Sequence, residues 1–119
     1  MKANELRIGN LVFDNKINIV TEISKECFAY EYLFLEDYNP IPLTEEWLLK
    51  FGFEKAPLVD KYLKGYFTYD SKLKYFTYFT DIEDGGYENI IIQKEKLKYV
   101  HQLQNIYFAL IGEELILKN

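Results

Sequence analysis

Residues 62–93 read YLKGYFTYDSKLKYFTYFTDIEDGGYENIIIQ, and this stretch decides the fold class. Aromatic residues, threonine and isoleucine dominate it, the types that suit a pleated, half-buried surface. Asp70-Ser71 marks a tight turn between the runs Tyr62–Tyr69 and Leu73–Thr80. Asp84-Gly85-Gly86 marks a second turn, because its glycines take positive φ without steric cost. Tyr87–Gln93 follows, with Ile90, Ile91 and Ile92 at its centre. The pattern predicts a three-stranded antiparallel meander. Period two along its middle strand sets Tyr75 and Phe79 on one face and Phe76 and Tyr78 on the other. One face buries the core, and the other packs on the N-terminal strands or presents an aromatic surface.

Working outward, the segment before the meander contains the clearest helix start. Pro40 and Pro42 interrupt any ladder, since proline has no amide to donate. Thr44 is a natural N-cap, and Glu45 and Glu46 follow where the helix dipole favours negative charge. Leu43 and Leu48 have the spacing of a hydrophobic staple. Gly52 suits a left-handed C-cap. A helix this short is held only by burying Trp47, Leu48 and Phe51. Beyond the meander, Val100, Leu103, Tyr107 and Leu110 form one apolar stripe, predicting a helix over 97–111 that stops at Gly112 and packs on the sheet. Leu115-Ile116-Leu117 reads as a short final strand.

The N-terminal third reads as strands. Gly9-Asn10 is an entry turn, Leu11-Val12-Phe13 is short and apolar, and Asp14-Asn15-Lys16 is a turn. Ile17, Ile19, Thr21 and Ile23 then alternate with Asn18, Val20, Glu22 and Ser24. Cys27–Leu35 is a third run, giving a bent, SH3-like meander. The expected class is α+β: N-terminal strands, a short helix, an aromatic meander and a C-terminal helix. At 119 residues, with no linker or repeat, a single domain spanning 1–119 is expected.

Composition excludes several function classes. Net charge is -5 and the sole arginine is Arg7, which argues against a protein whose main partner is a phosphate backbone. Lys94, Lys96 and Lys98 interleave with Glu95, Leu97 and Tyr99, the weaker, nucleic-acid-associated alternative. A single cysteine, Cys27, makes no internal disulfide, and no apolar run approaches the roughly 20 residues needed to span a bilayer. A cytoplasmic protein with no membrane partner is expected. Catalysis finds few candidates: His101 is the only histidine, lies off the apolar stripe and reads as a surface or boundary residue. There is no CxxC, no HExxH and no calcium-loop spacing, so no metal and no cofactor are expected. Asp81, Glu83 and Asp84 read as a solvated turn, and Glu113-Glu114 as a solvated helix end. The expectation is a protein that is not an enzyme.

What remains is recognition. Eleven tyrosines exceed the needs of a core this size, and tyrosine brings large contact area at low entropy cost. Tyr66, Tyr69, Tyr75, Tyr78 and Tyr87 are the candidate binding residues of the meander. His101, Gln102 and Asn105, with Gln104 between them, are hard to explain by packing. A polar helix face of that composition hydrogen-bonds either the sheet or a partner. A protein partner or self-association is the leading expectation, and a small planar, nucleotide-like ligand held between aromatic rings is the alternative.

Three blocks carry a family resemblance: MKANELRIGN at 1–10, PIPLTEEWLLKFGF at 40–53 and YVHQLQNIYFALIGEEL at 99–115, about a third of the chain. In these blocks the chain resembles small uncharacterised proteins encoded by phages, prophages and mobile elements of Bacteroidota. That group carries no assigned activity, so no functional residue transfers. The resemblance implies an accessory or host-interaction role, including interference with host defence.

Overall fold

A computed structural model describes residues 5–25, 38–73, 75–81, 87–93 and 97–118. It is an α+β protein with two antiparallel sheets. The run Cys27–Leu35, the Asp84-Gly85-Gly86 turn and the lysines at 94 and 96 lie outside the described residues. The chain forms two compact units: Met1–Leu43 with Lys98–Leu115, and Thr44–Leu97 with Ile116–Asn119.

The first unit carries a three-stranded sheet in the order β2-β1-β3. Strand β1 is Leu11–Asp14, β2 is Ile19–Glu22 and β3 is Tyr38–Asn39. The β1–β2 hairpin turns where expected: Lys16 N donates to Asp14 Oδ1 at 2.9 Å, and Asn18 takes φ 55. Leu6, Val12 and Ile23 form its buried cluster, with Tyr38 against it. Helix α2, Val100–Ile111, belongs to this unit and buries Val100, Leu103 and Tyr107, the stripe seen in the sequence. It ends on Gly112 at φ 82, where the amide donates to Phe108 O. The helix starts three residues later than its apolar pattern implies. Segment 97–99 is drawn into extended backbone contacts instead: Leu43 N donates to Lys98 O and Val100 N donates to Ile41 O, both at 2.9 Å.

The second unit carries helix α1, Glu45–Lys50, and a five-stranded sheet in the order β4-β5-β6-β7-β8. Its strands are Glu54–Lys55, Lys61–Lys64, Phe67–Asp70, Tyr75–Asp81 and Tyr87–Gln93. Thr44 caps α1 as expected, its side chain accepting from Trp47 N. Leu48, Phe51 and Phe53 are buried, and Phe53 meets Phe67 edge-on, with 6.1 Å between centroids. The Tyr62 hydroxyl donates to Glu45 at 3.1 Å, joining the helix start to the sheet.

The meander is corrected in one respect. The run expected as a single strand, Tyr62–Tyr69, is two strands joined at Gly65-Tyr66, with Lys64 opposite Phe67. Gly65 takes φ 58 at the first central position of this two-residue loop, a positive φ that favours glycine. Strand β4, too short and charged to show a pattern, completes the five. The strand expected at 115–117 does not form; Leu115 is instead a buried anchor, and Lys118 N donates to Lys50 O.

A Cβ at position 65 would meet nothing within 4 Å, so its cost is confined to the backbone. Gly65→Ala is therefore expected to lower stability by about 1 kcal/mol, and Gly65→Asn by less, because asparagine tolerates the left-handed region. Urea unfolding of the three proteins checks this order.

Candidate functional site

The polar residues of α2 are held from inside the first unit. Gln104 is buried, 3% exposed; its Oε1 accepts from Leu11 N at 2.8 Å and its Nε2 donates to Gly9 O at 3.1 Å. Asn105 lies beside it. Its Oδ1 accepts from Asn10 Nδ2 at 2.8 Å and Arg7 Nε at 3.2 Å, while its Nδ2 donates to Glu5 O at 2.9 Å. Asn10 is fully buried, and its Oδ1 accepts from Arg7 N at 2.6 Å. The two amides therefore satisfy Glu5 O, Gly9 O and Leu11 N, while the Ile23 backbone accepts from Gly9 N and donates to Asn10 O, so groups that burial would otherwise leave unpaired find partners. Arg7 closes the seam by pairing with Glu114 and lying 4.3 Å from the centre of the Phe108 ring. Glu114 is thus an ion-pair partner, where the sequence read as a solvated helix end.

Gln102 is also engaged internally. Its Oε1 accepts from Lys98 N at 2.8 Å and Tyr99 N at 3.0 Å, fastening the start of α2. His101 departs from expectation: it is 1% exposed and not a surface residue. Its ring stacks on Tyr99, 5.9 Å between centroids and 8° between planes. Neither ring nitrogen has a hydrogen-bond partner among the described residues, and Glu5 Oε2 stands 3.8 Å from Nε2. Burial pushes the imidazole below its ordinary pKa, with the Glu5 carboxylate opposing. The positive end of α2 acts in the same sense as burial.

The second unit presents a different surface. Tyr62, Tyr69, Phe76 and Ile92 stand in one cross-strand row, with Phe67 and Tyr78 paired on the same face. That face is the core side: Tyr69 lies 4.6 Å from Phe76 and Tyr78 6.1 Å from Phe67, between centroids. The opposite face carries the row Leu63, Thr68, Thr77 and Ile91, each directly opposite the next. Leu63 is 38% exposed and Ile91 61%, and the two threonines between them are half-buried. Tyr75 shares this outer face by its register, and Tyr66 is 65% exposed at the β5–β6 turn. An apolar, threonine-bearing sheet face is therefore open to solvent.

The sequence-derived candidates sort accordingly. Tyr75 belongs to the open side of the sheet, Tyr69 and Tyr78 to its core side, Tyr66 stands exposed at the β5–β6 turn, and Tyr87 opens β8. His101, Gln102 and Asn105 lie together on α2 in the first unit. Leu63, Thr68, Thr77 and Ile91 were not singled out by the sequence. The signal that exposes them is the hairpin at Gly65, which brings Leu63 and Thr68 into one row. Arg7 and Asn10 were missed as well, since their partners lie about a hundred residues away. Among the described residues, no three His, Cys, Asp or Glu side chains converge to hold a metal ion, and no helix is long and apolar enough to cross a membrane. No family model, curated protein or solved structure matches the chain.

Two outcomes are expected. Gln104→Leu strands Leu11 N and the Gly9 carbonyl, and lowers stability by about 3 kcal/mol in chemical unfolding. His101 makes stability depend on pH. The unfolded chain takes up the histidine proton near pH 6.5, the folded chain only at lower pH, so the contribution is complete above about 6.5 and is lost as pH falls below it. Comparing the wild type with His101→Phe between pH 7.5 and 5.5 isolates this part, which the variant lacks.

Proposed function

We propose that this chain is a non-enzymatic binding module that recognises a protein through the open face of its five-stranded sheet. The observation that supports this is the row Leu63, Thr68, Thr77 and Ile91, exposed at both ends, with Tyr75 on the same face and Tyr66 exposed at the β5–β6 turn. Exposed apolar area rimmed by tyrosine is what protein interfaces favour at their centres. The threonines between the apolar ends add hydrogen-bonding groups that set orientation. The amide side chains of α2, by contrast, are engaged within their own unit, which moves the recognition surface to the sheet.

The partner class follows from the resemblance of the three sequence blocks to phage, prophage and mobile-element proteins of Bacteroidota. On that reading the chain is an accessory protein acting inside the host cell on a host protein, including a component of host defence.

Thr77 stands at the centre of the row, so Thr77→Arg places a charge in the middle of the docking surface while keeping an outward-facing position on β7. The tagged wild type is expected to retain a specific protein from a Bacteroidota lysate, and Thr77→Arg to lose it with unchanged unfolding temperature. Equal retention by both proteins would reject this face as the site.

A further inference from the structure

The two edges of the five-stranded sheet are unlike each other. At one end β4 offers only Glu54 and Lys55, both charged and exposed, a template too short and too polar to pair with another chain. At the other end β8 runs for seven residues, Tyr87–Gln93. It pairs with β7 one residue to one along its whole length, without a bulge. It contains no proline and no lysine, and its only charged residue is Glu88. Among the described residues nothing pairs with its outer side. Bulges, prolines, lysines and brevity are the devices that keep sheet edges apart, and β8 has none of them.

We propose that the outer edge of β8 pairs antiparallel with β8 of a second copy, making one continuous sheet of two five-stranded halves. The sequence of the strand is suited to a two-fold axis at Ile91. That register sets Ile91 opposite Ile91, Ile90 opposite Ile92, and Asn89 opposite Gln93. Branched apolar residues face their own kind, an amide residue faces an amide residue, and no like charges oppose each other, the conditions under which cross-strand pairs stabilise. Opposed positions have the same parity, so each copy keeps its core face on the same side of the joined sheet. The interface is isologous and closes at two chains, because the charged β4 edges then bound the assembly.

The pairing stands on the edge alone. Its consequence rests on the reading of the open face as a docking surface: the row Leu63, Thr68, Thr77 and Ile91 continues through the axis into the same row of the second copy, doubling its length.

Cysteine cross-linking of the full chain tests this in a Cys27→Ser background. Directly opposed Cβ atoms lie about 4.5–5.5 Å apart, near disulfide reach, whereas position 77, a strand further from the axis on each side, is separated from its counterpart by about 14 Å. Ile91→Cys is therefore expected to form disulfide-linked dimers on mild oxidation at roughly tenfold or more the yield of Thr77→Cys. Adding Thr77→Arg to Ile91→Cys should leave that yield unchanged. A monomer at Ile91→Cys under oxidation, or equal cross-linking at 77 and 91, overturns the pairing. Loss of cross-linking with partner capture intact rejects the pairing alone; cross-linking at 91 without partner capture rejects the docking reading alone.

Discussion

Two amide side chains on α2, Gln104 and Asn105, hold the segment from Glu5 to Leu11, and the first unit depends on that contact. Before β1 the segment meets the Ile23 backbone only at Gly9 and Asn10, yet Leu6 and Asn10 are buried. Its remaining backbone groups need partners inside the protein, and the helix supplies them at Glu5 O, Gly9 O and Leu11 N. The contact joins residues about ninety-five positions apart, so this unit closes only when the C-terminal helix has returned to the start of the chain. Arg7 and Glu114 then fasten the ends of the same seam from its outer side. Buried polar networks of this kind contribute to structural uniqueness when every member is satisfied.

The satisfaction is complete at Gln104 and Asn105 and fails at His101. Both imidazole nitrogens are buried without a hydrogen-bond partner among the described residues, one turn before Asn105 on the same helix. The ring's contacts are stacking on Tyr99 and a charge at Glu5 rather than hydrogen bonds. The polar face of α2 thus serves the interior, whereas the outer face of the second unit's sheet presents Leu63 and Ile91 to solvent. The same separation explains why the tyrosines divide: Tyr69 and Tyr78 pack on phenylalanine rings, whereas Tyr66 stands out in water.

Much of the architecture was legible from local patterns. Thr44 and the acids after it mark α1, the four-residue stripe marks α2, and period two places Phe76 and Tyr78 together on one face of β7, which packing with Phe67 and Tyr69 makes the core side. These signals are local, since each rests on residues a few positions apart. Gly65 was overlooked because the run around it is aromatic and continuous, and one glycine among tyrosines carries less weight than a glycine pair. The apolar Leu97, three residues before Val100, extends the helical pattern in the sequence, but Gln102 and the Ile41–Leu43 backbone hold 97–99 extended. His101 was read as exposed because it lies off the stripe; its burial beneath Glu5 and Tyr99 is a tertiary fact. The α2 amides announced a hydrogen-bonding role, but their partners at Gly9, Asn10 and Leu11 lie far away in sequence, beyond any periodicity.

The dependence of the first unit on its amide seam is tested most directly by a double-mutant cycle on Asn10 and Asn105, read by equilibrium unfolding of Asn10→Ala, Asn105→Ala and the double variant. If the seam acts as one network, the two losses are not additive, and the coupling between them exceeds about 1 kcal/mol. Losses that add to within about 0.3 kcal/mol would contradict that account, leaving the two residues as independent surface-to-loop contacts.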